Sequence, residues 1–342
     1  MATSAAGTEP SPWAVVAGSV ALLTVLISVL LTAFAWPSVR SSVHDVPIAV
    51  AGPAPAAAQV TATLGQRLPD GFDVTVVADT AAAEALIRDR EVYGAIDLTN
   101  GTPQVITASA ASPVVAQTLQ GIAAAMAQGE TGSAPAVRDI VALPADDPRG
   151  AGLAAGALPL VLGGMLAAVV LTTRVRGIAR RVVGALAFAV TGGLAMAAIL
   201  QFWLGSIDGS YLANAGAIAL TIVATSLTLV GLESLLGMAG FGLGAATMML
   251  LGNPLSGMTT APQMLPGWSG ALGQALPPGA GGSLLRSTAF FDGSGATHSL
   301  IVLAVWFVVG LALTVAGGLK ARRQVGAPAA GAPAQPAVPA SV

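Results

Sequence analysis

The side chains that could do chemistry are few. The chain has two histidines and no cysteine in 342 residues, which excludes disulfides, thiolate metal sites, cysteine nucleophiles and lipidation on sulfur together. His44 stands beside Asp45, and such a sequence neighbour pair reads as two solvated side chains. Asp70, Asp73, Asp79, Glu84, Asp89, Glu91 and Asp97 follow one another without a metal-ligand spacing. Gly267-Trp268-Ser269-Gly270-Ala271 approaches a serine-nucleophile elbow but fails at its last position. A phosphate-binding loop ends in Gly-Lys-Ser/Thr, whereas Lys320 is the sole lysine and Ala321 follows it. The chain reads as no enzyme: catalytic residues, metal ligands and cofactors are all expected to be none, and any ATP hydrolysis belongs to a separate subunit.

What remains is a cluster of cations and one acid. Arg174, Arg176, Arg180 and Arg181 crowd one short connection, and Glu233 is the one acid between Leu212 and Gly252. The arginines read as topology determinants and anionic-lipid contacts, or as a docking surface for a partner. Glu233 reads as a solvated turn residue before Gly237, or as a contact with a cytoplasmic partner or inner gate. A charge at mid-bilayer costs about 2.5–3.5 kcal/mol on insertion scales, so Glu233 is placed at the cytoplasmic end of its span.

The surrounding composition explains why a bilayer enters at all. Hydrophobic residues make up 54% of the chain and charged residues 9%, with a mean hydropathy of +0.79; soluble domains carry roughly 25% charged residues. This is the composition of an integral membrane protein. A net charge of −2 gives no footprint for nucleic acid. Arginine in place of lysine, with the excess of Ala, Gly and Pro, points to a GC-rich bacterial genome and hence to a bacterial plasma membrane.

A spanning helix needs about 20 apolar residues. Runs at 13–36, 153–173, 182–204, 212–232, 236–252 and 299–319 meet or approach that length, with Pro37 expected to stop the first. The expected fold is an α-helical polytopic membrane protein of six transmembrane helices with an inserted extracytoplasmic α/β domain. Its parts are a short cytoplasmic N-terminus (1–12), the first span (13–36), the domain (37–150), spans two to five (151–252), an outer hairpin (253–298), the sixth span (299–319) and a disordered cytoplasmic tail (320–342). Both basic clusters, 174–181 and Lys320 to Arg323, share one side only if both termini are cytoplasmic. A cleavable signal peptide is disfavoured, because Glu9 precedes the apolar run and no Arg or Lys does.

Between residues 37 and 150 short β-branched runs at 46–52, 72–77, 92–98 and 103–109 read as strands, with a last one at 139–143. Helical stretches at about 55–67, 80–90 and 113–128 separate them, with Asp79 as an N-cap, and Asn100-Gly101 reads as a hairpin turn. Glycines at Gly152 and Gly156, and again at Gly240 and Gly244, are spaced for close helix packing, within one bundle or at a dimer seam.

Residues 252–286, GNPLSGMTTAPQMLPGWSGALGQALPPGAGGSLLR, are apolar yet hold five prolines, so no straight helix crosses them. Non-helical backbone at membrane depth must be sheltered. The expectation is a re-entrant or interfacial hairpin with short helices at 269–276 and 282–291, broken at Pro277-Pro278. Trp268 would sit at the interface, and Arg286 would snorkel to headgroups or pair with an acid.

This layout, with ALIRDREVYGAIDL (85–98), DDPRGAGLAAGALPLVLGG (146–164) and NPLSG…PQMLPGWSGALGQALPPGAGGSLLRSTAFFDG (253–293), resembles the permeases of type-2 ABC exporters. It lies nearest the phage-infection-protein (YhgE/Pip-like) membrane proteins of Gram-positive bacteria. The resemblance covers about half the chain. It implies two bundles pairing as a homodimer or heterodimer around a lateral pathway, and an outer gate built from Pro266, Trp268, Pro277 and Arg286. It also implies a separate cytoplasmic ATPase facing Arg174, Arg176, Arg180, Arg181 and Glu233, although the amphipathic N-terminal helix common in such permeases is missing. Two functions follow: export of an apolar or amphipathic envelope compound, or a non-transporting envelope scaffold or receptor whose outer domain binds partners.

Overall fold

The structure, a computed structural model, describes residues 11–127 and 136–326. Five helices among them are long and apolar enough to cross a membrane: α1 (Trp13–Arg40), α5 (Ala151–Arg174), α6 (Ile178–Ala198, prolonged by a π turn to Trp203), α7 (Tyr211–Leu236) and α11 (Thr297–Gly326). The chain is thus a mostly helical membrane protein with a small mixed sheet, and the expected count of six long spans is not met.

The missing span is 236–252. Gly237, at φ 66°, ends α7 and turns the chain back into α8 (Met238–Ala246), which a π turn carries to Gly252. Those 15 residues form a shorter apolar helix, about 22 Å long at 1.5 Å per residue, too short for a hydrocarbon core of about 30 Å. A further helix, α10 (Pro277–Phe290), follows later in the chain. Along α7, Gly240 lies against Leu232 and Leu236 and Gly244 against Leu229, while Gly281 lies against Thr221 and Thr288 bonds Asn214. Both short helices therefore run antiparallel to α7, one beside each half of it. They meet where Gly252 touches Pro278.

α7 is the axis of the bundle. In its most apolar stretch 78% of residues are buried, against 33% in α5 and 22% in α6 and α11. Small residues allow this: Gly193 of α6 abuts Ala215 and Ala219, Gly164 of α5 abuts Thr225, and Gly310 of α11 abuts Leu227 and Thr228. Without water, packing and shape hold helices together, so backbones approach where side chains are small. α1 is the opposite case. None of its most apolar stretch is buried, and its packing is confined to its sheet-side end. Pro37 does not stop it. The helix runs on to Arg40 with Pro37 in its last turn, where one lost N–H bond is tolerable. At the far end α11 stays helical through Gly326, so residues 320–326 are no loose tail; residues 327–342 lie outside the described part.

The α/β domain has strands β1 (Val46–Ala51), β2 (Phe72–Val77), β3 (Gly94–Asp97), β4 (Gln104–Thr107) and β5 (Ala136–Asp139) in the order β2-β1-β3-β4-β5. β3 and β4 pair antiparallel as the hairpin expected around Gly101, and the other pairings are parallel. Helices α2 (Ala54–Arg67) and α4 (Pro113–Ala127) contribute to one face and α3 (Thr80–Arg88) to the other. Asp79 caps α3, accepting from the Ala82 amide at 2.8 Å. The last strand falls at 136–139, earlier than its DIVAL run, because Ile140, Val141 and Leu143 pack onto the α3 face as coil.

Candidate functional site

The hairpin expected to be irregular is irregular, and its glycines say why it can be dense. Around Gly273 the backbone of Leu255 passes so close that no Cβ would fit, and Met258 occupies the same position at Gly282. A single turn (Pro262–Met264) and α9 (Ser269–Gln274) are its only other helical pieces before α10. Pro277 and Pro278 do not break α10; they begin it, at first-turn positions where no N–H is needed. The Gln274 amide donates to the Ser256 carbonyl at 2.8 Å and accepts from Ser283 Oγ at 2.6 Å. Trp306 of α11 donates to the Ala275 carbonyl at 2.8 Å. The non-helical carbonyls thus find donors inside the protein, as apolar surroundings require.

The α/β domain grips this hairpin from both faces of its sheet. Ala261 and Met264 complete the core with Val46, Ile48 and Leu119, while Phe291 completes the opposite core with Ile87, Val92 and Ile106. The Met264 carbonyl accepts from the Ser42 amide and Ser41 Oγ at 3.0 and 3.1 Å, and Tyr93 Oη donates to Gln263 at 2.9 Å. Domain and hairpin are one packed unit.

Arg286 sits at their junction. It neither snorkels nor meets an acid. It is 4% exposed, Nη2 donates to the Met258 carbonyl at 2.9 Å, and Nε has no partner. A second cation, Arg90, enters from the domain at φ 63°. It donates to the Ser283 carbonyl at 3.0 Å and to Ser287 Oγ, and stacks 5.2 Å over the Phe291 ring. Burial pushes the Arg90 pKa down. Among the described residues no carboxylate pairs with either arginine.

Two adjoining cavities open in this region, one of them lined by Arg286. One of about 320 Å³ lies between the sheet-side end of α1 (Phe34, Pro37, Ser38, Ser41), α5 (Ala154, Ala157, Leu158) and the coil from Asn253 to Thr260. The other, about 270 Å³, is lined by Arg286, Arg149, Gln117, Leu153, Ala154, Met258 and Thr259 among others. Ala154, Met258 and Thr259 are common to both. Of the residues expected at an outer gate, Arg286 lines the second cavity, Pro277 is buried at the start of α10, Pro266 is half-buried, and Trp268 is 71% exposed.

At the far end Arg181 and Glu233 meet each other at 3.1 Å. Arg181 also donates from Nε to Val175 and from Nη2 to Thr172, locking the α5–α6 turn onto the end of α7. Arg174, Arg176 and Arg180 stay exposed. Of the glycines, Gly240 and Gly244 face α7 of the same chain, Gly152 packs against Ser206, and Gly156 has ordinary contact with Leu200.

Arg90, Asn214 and Gln274 carry polar structure that sequence reasoning missed. Asn214 is fully buried, donating to Asp208 and Gln201 and accepting from Thr288; its isolation in an apolar run is the signal that could have found it. Comparison with family models, curated proteins and solved structures finds no match.

Proposed function

We propose that this chain is a membrane permease subunit that moves an apolar or amphipathic compound of the bacterial envelope, energised by a separate ATPase. The observation that carries this reading is the crevice between α1 and α5, floored by non-helical backbone and flanked by a wall helix with little packing of its own. Paired half-helices with irregular backbone between them are how many transporters build a site within the bilayer. On this reading α8 and α10 together make the fifth of six crossings. Both termini are cytoplasmic, the α/β domain lies outside with the hairpin dipping from it into the outer leaflet, and two copies or a related partner close the pathway.

The far-end cations supply the ATPase contact. Arg181 and Glu233 are used internally, so the contact falls to Arg174, Arg176 and Arg180. Purification from the native host in mild detergent should bring down a stoichiometric ATPase. The triple change Arg174→Gln, Arg176→Gln, Arg180→Gln should abolish that association with the melting temperature unchanged. Absence of an ATPase from the wild-type preparation sinks the reading.

One feature favours a non-transporting scaffold or receptor instead. β2 is an uncovered edge strand with Val76 52% exposed, the kind of edge to which a partner strand adds. Envelope proteins recovered without an ATPase would select that reading.

A further inference from the structure

We infer that the joined cavities are a binding site for an anionic lipid-like amphiphile, with its tail in the α1–α5 crevice and its phosphate or carboxylate headgroup in the arginine-lined cavity. This deepens the permease reading, on which it rests for the crevice as an entry from the outer leaflet. The headgroup assignment comes from the charges.

Arg286 is a buried guanidinium on the wall of a 270 Å³ cavity, and its one hydrogen bond goes to a neutral carbonyl. A buried charge is stable when an opposite charge meets it, and such arginines are normally paired. Here the second cation, Arg90, sits close by on the domain side, adding positive charge. Arg149, exposed, lines the same cavity. The nearest carboxylate in sequence, Asp147, is committed elsewhere: it accepts from the Ala151 and Gly152 amides at 2.8 and 2.7 Å and so caps α5. Two guanidiniums lining one cavity without an acid fit an anion, which arginine holds through paired donors.

The rest of the ligand is set by what adjoins. The crevice shares Ala154, Met258 and Thr259 with the arginine cavity and is walled by Phe34, Pro37, Ala157 and Leu158. Its side facing α1 is the lipid side, since none of the most apolar stretch of α1 is buried. A free phosphate would fill the arginine cavity and leave the crevice without a role; an amphiphile from the leaflet fills both.

The test uses the full chain in micelles carrying equal amounts of phosphatidylglycerol and phosphatidylcholine, with bound lipid counted by native mass spectrometry. The wild type should retain about one phosphatidylglycerol per chain in preference to phosphatidylcholine. Arg149→Gln should lower that retention roughly tenfold, as expected for loss of one charge-assisted bond, and being exposed it leaves the fold intact. Arg286→Lys should weaken retention similarly, and Ala154→Trp, at the shared wall, should remove it for any lipid. Equal retention of both lipids, abolished by Ala154→Trp, would overturn the headgroup assignment and leave the crevice reading standing. No retention of either, or no effect of Ala154→Trp, would overturn both. Displacement of the anionic lipid by inorganic phosphate alone would overturn the lipid as the source of the anion.

Discussion

At the scale of single residues the buried carboxylate Asp97 of the α/β domain has a well-specified environment. Asp97, 1% exposed at the end of β3, accepts from Thr80 Oγ1 at 2.7 Å and from the Thr99 amide and hydroxyl at 2.9 and 2.7 Å. Burial alone would raise its pKa; the Thr99 and Thr80 hydrogen bonds outweigh it, and the carboxyl titrates below its usual range. A depressed carboxyl contributes stability above its unfolded value of about 3.9, lost as pH falls through the folded value. The denaturant midpoint of the full chain should therefore hold from neutral pH to about pH 5 and drop below that as the pH falls through the folded value. Asp97→Asn should start lower at neutral pH and lose less on acidification, and an unchanged acid loss in that variant would contradict the assignment. Such residues differ in legibility. Asp79 was readable as a cap because the capping hydrogen bond is local. Arg286 was not, because its surroundings, Met258 among them, come from parts of the chain far from it in sequence.

Among elements, close approach decides which glycines matter. A Cβ at Gly240 would lie 2.3 Å from the Leu232 carbonyl oxygen and 2.7 Å from Leu236 Cβ, so backbone must move, whereas at Gly156 the nearest atom is 3.7 Å away. Gly240→Ala should lower stability by about 1–3 kcal/mol through overpacking. Gly156→Ala should be neutral or raise stability by up to about 1 kcal/mol through helix propensity. Thermal unfolding in one detergent separates the two. Both pairs carry the same small-x-x-x-small spacing, so the motif alone could not rank them; the partner surface does. The long spans were legible because about 20 uncharged residues have no other home. The short helix was not: 236–252 is apolar enough for a span, and its shortfall emerges only once Gly237 turns the chain and Asn253 ends the helix. The sheet was legible from its β-branched runs, except that Ile140 and Val141 run past the last strand, bonding the backbone of Thr107 and Ala110 while they pack into a core.

For the whole molecule the first question is which way it faces. The chain has no cysteine, so single cysteines report sidedness cleanly. With both termini cytoplasmic, Asn100→Cys should react with an impermeant maleimide in intact cells, and Arg176→Cys only after permeabilisation. The reverse pattern would invert the topology and move the arginine cavity to the inner leaflet. The α/β domain does not close its cores with its own residues alone, because Ala261, Met264 and Phe291 fill both of them. That relation sets an order in time. During synthesis residues 37–150 emerge more than 100 residues before the segment that seals them, and until then two apolar patches on the young domain stay open. The domain must be kept from aggregating while α5 to α8 insert, and a ribosome stalled before residue 261 would leave a chain with its sheet formed and its core unfinished.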